Sequence, residues 1–423
     1  MSGSPVVNIY GIAKYFRGRV QKPNDIDGVV SAGNEVIDAL AEMGMFPTKL
    51  SSPIAIWEQC VLNHLDIPKY QSLSKNVCNR SWYCSGKTWI EAYKLGYWEK
   101  SYEYDISSAF PTVMKNLIDT RHCDIVESAE YQHRAVYGYC EGVVTIYDNV
   151  QVSPIIYELD DSGLSTRTGT WETMLTKKEI DCIRRWHIGE FKITAGSWLI
   201  PRKLVRPFKI PMERILRYKQ HDNPLIRDMA KAISVGAYGK LGETHPSETG
   251  YKAFGRHVMP VYFAEISTNP RLEVADFIYR NKLTDSLIHV SVDGFQSDEQ
   301  LGNITPHNGF QWKVSDIIPT LVISSGLIYI GDRTKPKGLT LDNVKAMVEA
   351  HPYSGYYSKA LKRTVTLGDA VSRGKLEDIG TVKPMYQDID LYRAEHSRLF
   401  RKQPQTGYQL MNRKFCSVAK KAD

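Results

Sequence analysis

The chain has 423 residues, 42 % hydrophobic and 24 % charged, with 54 Lys+Arg against 47 Asp+Glu and a net charge of +7. This is the composition of an ordinary soluble protein with room for roughly two to four domains or subdomains. It excludes a low-complexity chain, and the basic excess is too small for a histone-like polycation.

No stretch approaches the roughly 18 apolar residues of a membrane span, and residues 1–7 lack the charged start and apolar core of a signal peptide. The seven cysteines, at 60, 78, 84, 123, 140, 182 and 416, are odd in number and scattered, so no disulfide framework is expected. A reducing, cytoplasmic setting follows. Cys78 and Cys84 have no matching Cys/His pair nearby, which argues against zinc.

Within residues 9–64, the stretches 9–16, 33–43 and 53–64 carry apolar residues at three- and four-residue spacing, which predicts helices. Residues 66–80 are polar and read as a loop. The run Gly142-Val143-Val144-Thr145-Ile146-Tyr147 predicts a strand. Thr176-Lys177-Lys178-Glu179, followed by Ile180, Ile183 and Trp186, is a capping box that opens a helix. Residues 211–220 read as a helix ended by His221-Asp222. A second helix then starts with Asn223 as N-cap and Pro224 at its first position. On it Arg227, Lys231, Val235 and Tyr238 are spaced 4, 4 and 3 and share one face. Alone, that face also fits a solvated cationic stripe beside a core tyrosine. Residues 287–297 read as a hairpin whose turn is Asp293-Gly294. Residues 391–423 hold eight Lys/Arg and two acids, suited to a phosphate backbone or to a solvated tail.

Three ordered segments carry the chemistry. Tyr104-Asp105-Ile106-Ser107-Ser108-Ala109-Phe110-Pro111 and Val290-Ser291-Val292-Asp293-Gly294-Phe295 each place a carboxylate at a strand end. Between them, the helix from Lys231 to Tyr238-Gly239 offers a cation and an aromatic. Paired carboxylates that hold hard cations, beside a cationic helix, are the parts nucleotidyl transfer needs.

These segments resemble the motifs of family B DNA polymerases, in particular the protein-primed branch of phages and linear plasmids. The family's Asp-x-x-Ser-Leu-Tyr-Pro is similar to Asp105 through Pro111. Its Lys-x-x-x-Asn-Ser-x-Tyr-Gly is matched by Lys231, Tyr238 and Gly239, with Val235 and Gly236 in place of Asn and Ser. Its Asp-Thr-Asp is similar to Ser291-Val292-Asp293. Tyr83-Cys84-Ser85-Gly86 resembles the family's Tyr-x-Gly-Gly element. Gly309 through Lys313, then Tyr329, resembles the segment that leads to the primer-end motif Lys-x-Tyr, with Leu327 at its Lys position. The likeness spans residues 80–340. Gly86-Lys87-Thr88 is not a Walker loop, because position 81 is not glycine.

The resemblance implies an α+β right-hand polymerase with an antiparallel-sheet palm, helical-hairpin fingers and a small thumb. The implied division is a helical N-terminal domain (1–80), palm (81–207), fingers (208–250), palm (251–335) and a thumb with the basic C-terminal region (336–423). Asp105 and Asp293 would be catalytic and, with the Ile106 carbonyl, would bind two Mg²⁺ ions, with Mn²⁺ as a substitute. Ser108, Ala109, Phe110, Lys219, Arg227, Lys231 and Tyr238 would bind the nucleotide, with Phe110 as the gate against a 2′-hydroxyl. Tyr83, Gly86, Lys313, Tyr329 and Lys337 would contact primer or DNA. Implied partners are a primer–template, dNTPs, and a terminal protein or other replication proteins. The first 80 residues are short for an exonuclease domain and contain no Asp-x-Glu, so proofreading is not expected. Ser291, Val235 and Leu327 depart from the pattern. They keep open a catalytically weak, polymerase-fold DNA-binding accessory protein, and a primase-like or template-independent nucleotidyltransferase.

Overall fold

A computed structural model of the chain describes residues 26–50, 52–94, 96–159, 163–246, 252–302, 304–315, 317–324, 327–331, 356–364 and 382–390. The helix expected at 9–16, Lys337, Cys416 and the basic stretch 391–423 lie outside the described residues. The fold mixes helices with antiparallel sheets. No described helix is long and apolar enough to cross a membrane.

The N-terminal part is helical. It contains α1 (Ile26–Glu42), α2 (Pro53–Cys60) with Ser52 as N-cap, and α3 (Lys75–Cys84) with Ser74 as N-cap. Helix α3 corrects the loop expected over 66–80. Its buried side includes Arg80 and Ser81 beside Val77 and Cys84, so polar residues hide its period. Arg80 is buried because Glu141 and Glu127 accept from it at 2.8 and 2.6 Å.

The central sheet has five strands: β1 (Ile90–Ala92), β2 (Tyr102–Ser107), β3 (Leu287–Ser291), β4 (Gly294–Ser297) and β5 (Gln311–Val314). Their spatial order is β1-β3-β4-β2-β5, antiparallel throughout. Strand alternation divides its two faces. Tyr104, Ile106, Val290 and Phe295 point to one side and are at most 2 % exposed. Tyr104 and Phe295 stack with ring centroids 4.7 Å apart, and Phe277 of a long buried helix packs against both. The opposite face carries Glu103, Asp105, His289, Ser291, Gln296 and Lys313.

Between β2 and the helical hairpin lie α4 (Ala109–Met114) and a second sheet. This sheet has the order Cys123–Glu127, Gly189–Pro201, Tyr137–Ile146, Gly169–Thr176, with α5 (Lys177–Trp186) against it. The capping box at the start of α5 is present: Thr176 Oγ1 accepts from the Glu179 amide, and the Glu179 carboxylate accepts from the Thr176 amide.

The hairpin is α6 (Lys209–Tyr218) and α7 (Pro224–Gly236), with α6 two residues earlier than expected. Asn223 caps α7 through Leu225 N, and Pro224 opens the helix as expected. After a 3₁₀ turn over Ala237–Gly242 comes α8 (Pro260–Arg280), buried on nearly all sides. Its buried charged groups find partners, as a low-dielectric interior requires, although Thr268 Oγ1 and Arg271 Nε have none among the described residues. Arg271, for example, meets Glu179 at 2.8 Å with both side chains at most 3 % exposed.

Candidate active site

Asp105 stands near the end of β2, on the polar face of the sheet, between two cross-strand neighbours: Gly294 on β4 and Lys313 on β5. Directly opposed residues of an antiparallel pair place their side chains on the same face. Ser291 pairs with Gly294, so Ser291, Gly294, Asp105 and Lys313 form one row across four strands.

Asp293 enters from the hairpin turn. That turn is Val292-Asp293, not Asp293-Gly294, because Ser291 and Gly294 are its closing pair. The reason is contact at long range. A Cβ on residue 294 would lie 2.7 Å from the Tyr104 carbonyl, so the glycine is needed in the strand. The left-handed conformation falls instead on Val292 (φ 55°), where a β-branched residue is strained. The turn is pinned on both sides. The Val292 amide donates to Trp89 O at 2.8 Å, and the Ile106 amide donates to Asp293 O at 3.0 Å. This second bond joins the two candidate motifs directly.

The electrostatics follow from that proximity. Burial, then the nearby Asp293 and Glu103 charges, push the Asp105 carboxyl up to about 6, against the opposing pull of Lys313 and Lys219. Asp105 is nevertheless exposed to solvent. Burial also raises Asp293 above the usual carboxylate range, although its own amide pulls it down. Lys219 is lowered by burial, then by Lys313 and Lys231, with Asp105 opposing. Two raised, adjacent carboxylates with no ion pair within 4 Å among the described residues form a donor set that fits a hard divalent cation.

Around this pair lie most of the expected nucleotide-site residues. Ser108 sits in the left-handed region (φ 56°) at the start of α4, and its hydroxyl accepts from the Lys219 ammonium. Ala109 is buried. The half-exposed Phe110 stacks on Tyr238 at 4.5 Å and 29°. The Tyr238 hydroxyl is raised by burial, then by the Asp293 charge. Arg227, Lys231 and Val235 are exposed on one face of α7. Arg227 has no described contact that ties it to the carboxylates.

The expected DNA-contact residues are more dispersed. Tyr83 lies beneath the Lys87 ammonium, 3.9 Å from its ring centroid. Gly86 (φ 70°) donates its amide to Ser267 Oγ at 3.1 Å. Lys313 is exposed in the row described above. Tyr329 is only 7 % exposed, in a separate sheet of Leu327–Ile330, Thr320–Ser324 and Gly96–Trp98.

Sequence reasoning missed Glu103, which shares the polar face with Asp105 and accepts from Ser315 Oγ at 3.2 Å. The i, i+2 spacing of Glu103 and Asp105 on one strand was the available signal. It also missed a group that could hold a metal ion, Glu273, Asp276 and His307. These carboxylates already accept from protein donors. Glu273 takes His307, Asn308 and Trp312, and Asp276 takes Arg185 and Trp186.

No protein-family model and no curated protein matches the sequence. Among solved structures, the chain is similar to Phi29 DNA polymerase in an orthorhombic crystal form, with 12 % identity and a TM-score of 0.57 over 90 % of this chain and 78 % of that one. Against Phi29 DNA polymerase complexed with primer–template DNA (the post-translocation binary complex), the TM-score is 0.56 at 12 % identity, over 90 % and 78 % of the two chains. For the ternary complex with primer–template DNA and incoming nucleotides, it is 0.54 at 12 % identity, over 87 % and 71 %. At this identity the likeness is one of fold.

Proposed function

We propose that the chain is a template-directed DNA polymerase that adds dNTPs to a 3′-hydroxyl without proofreading. The observation that carries this reading is the junction of Asp105 and Asp293 on a sheet whose overall fold is like that of a DNA polymerase. In this reading the central sheet is the palm, the α6–α7 hairpin the fingers, residues 1–80 a helical N-terminal domain and residues 336–423 the thumb and basic tail.

The 3′-hydroxyl attacks the α-phosphate in line, and pyrophosphate leaves. Asp105, Asp293 and the Ile106 carbonyl would hold Mg²⁺, or Mn²⁺ in its place. Bound there, such ions supply activation of the attacking oxygen and neutralisation of phosphate charge. Lys219, Arg227 and Lys231 attract the triphosphate, and Lys219 leaves the Ser108 hydroxyl to do so. Phe110, held by its stack on Tyr238, closes the space beneath the sugar, and the part of Tyr238 that Phe110 and Phe263 leave uncovered meets the new base pair. Lys313, opposite Asp105, faces the primer backbone. Tyr83, Gly86 and Tyr329 support DNA farther out, Lys337 is a further DNA contact in this reading, and a terminal protein or other replication protein is a candidate partner.

A second reading, a DNA-binding accessory protein with weak catalysis, is favoured by Ser291. It puts a hydroxyl in the catalytic row where the resembled family has a carboxylate. Primer extension with Mg²⁺ or Mn²⁺, with and without template, separates the readings. Templated extension supports the polymerase. Untemplated addition supports a primase-like or terminal transferase, and DNA binding without extension supports the accessory protein. A 5′-labelled primer with a mismatched 3′ end, held without dNTPs, is expected to keep its length.

A further inference from the structure

We infer that a ladder of six aromatic rings leading away from the candidate nucleotide site is a track for unpaired template bases. This deepens the polymerase reading and rests on it.

The ladder begins with the Phe110–Tyr238 stack at 4.5 Å. It continues from Tyr238 to Phe263 at 6.2 Å and 19°, then from Phe263 to Trp82 at 6.2 Å and 32°. Trp82 meets Phe254 at 4.8 Å, and Phe254 meets Tyr70 edge-on at 5.1 Å. The rings come from six separate segments: α4, the 3₁₀ turn after α7, α8, α3, the short strand Lys252–Phe254 and the 3₁₀ turn Tyr70–Ser72.

All six are half-buried, so part of each remains at the surface. That distinguishes them from the aromatic cluster beneath the sheet, where Tyr104, Phe277 and Phe295 are at most 2 % exposed. A centroid spacing of 6.2 Å, between offset rings at 19° for Tyr238–Phe263 and tilted rings at 32° for Phe263–Trp82, leaves part of each face uncovered. The backbone makes room as well. A Cβ on Gly242 would lie 2.4 Å from the Phe263 ring, so Phe263 can take this position only beside glycine. Gly239, beside Tyr238, is exposed with nothing within 4 Å of where its Cβ would be.

The chemistry selects the occupant. Aromatic faces stack on any base, and only unpaired bases present their faces, so the surface suits single-stranded nucleic acid and not a duplex. Base-tolerant stacking is what a template track requires. The flanking charge agrees. Lys75 and Asn79, exposed on α3, share a face with Trp82 at spacings of 4 and 3, and exposed Lys69 and Arg256 adjoin Tyr70 and Phe254. Two nearby acids, Glu58 and Glu243, are both held by Lys240, at 2.9 and 2.8 Å. The ladder starts at the ring that would meet the new base pair, so the bases that reach it are those of the template not yet copied.

The test is binding of primer–templates whose 5′ template overhang is one nucleotide or about six, read by fluorescence anisotropy without dNTPs. For the parent protein, the longer overhang is expected to bind about tenfold tighter, with quenching of tryptophan emission that Trp82→Phe reduces, and the gain should vanish when the overhang is abasic. Trp82→Ala and Phe254→Ala should each remove most of the gain, while Trp82→Phe, which keeps a ring, should retain it. Thermal melting of each variant identifies loss through unfolding, and Phe254→Ala, at the outer part of the ladder, keeps the test decisive if Trp82→Ala fails to fold. No gain in the parent, a gain kept by the abasic overhang, or a gain unchanged in both alanine variants would overturn the proposal. The readout needs no catalysis. A protein that extends no primer yet shows the ring-dependent gain loses the polymerase reading alone. One that extends primers without it loses the track alone.

Discussion

Gly294 lies directly across the sheet from Asp105, so close that a Cβ on it would sit 2.7 Å from the Tyr104 carbonyl and 3.3 Å from an Asp105 carboxylate oxygen. The glycine therefore sets both the strand pairing and the position of the carboxylate. Gly294→Ala is expected to part β2 from β4, to cost about 1–3 kcal/mol of stability and to lower nucleotide incorporation at least tenfold. Melting and single-nucleotide incorporation measure the two effects. A variant as stable and active as the parent would show that the pairing has slack.

The pH dependence follows from Asp105. Its carboxyl stands at about 6 in the folded protein against an ordinary 3.8, so the folded state holds this proton more tightly than the unfolded state. Stability without metal should therefore fall as pH rises from about 4 through 6, and Asp105→Asn should remove that loss. With the carboxylate open to solvent, the effect is discounted to about 1 kcal/mol. Mn²⁺ binding should weaken as pH falls through 6, because the proton competes for the same oxygens. Melts in EDTA across this range, and Mn²⁺ titrations at its two ends, check both signs.

Phe110, which stacks on Tyr238, is the proposed sugar gate. Phe110→Ala or Phe110→Val should raise rNTP incorporation relative to dNTP by about tenfold or more, with a smaller fall in dNTP incorporation. An unchanged ratio would leave Phe110 a packing residue only.

Asp298, at the far end of the same hairpin, is the control carboxylate. It meets the buried Lys94 ammonium at 2.6 Å. Asp298→Asn should cost about 1–3 kcal/mol of stability by leaving that charge unpaired, and should leave incorporation per folded molecule unchanged.

What could be read from the sequence was chemistry that acts locally. The Thr176/Glu179 capping box and the Asn223-Pro224 helix start depend on neighbours within three residues, and both formed as expected. The paired motifs brought Asp105 and Asp293 to one sheet, because strand ends and a hairpin leave few other arrangements. Features set at long range were hidden. Helix α3 was missed because partners 47 and 61 residues away neutralise Arg80 on its buried side. The turn was displaced by one residue because Gly294 answers to Tyr104 and not to the turn. Tyr329 has its motif spacing but is covered by its own sheet, and the ladder draws its rings from six segments that no spacing connects.

The central claim is that Asp105 and Asp293 act together as the metal-holding pair of a templated DNA polymerase. The most direct measurement is incorporation of one correct dNTP on a primer–template by the parent, Asp105→Asn and Asp293→Asn, with DNA binding measured on the same preparations. The parent should add the nucleotide dictated by the template. Each variant should lose on the order of 10³-fold or more in rate while binding DNA nearly as well. Incorporation by either variant at the parental rate would contradict the account.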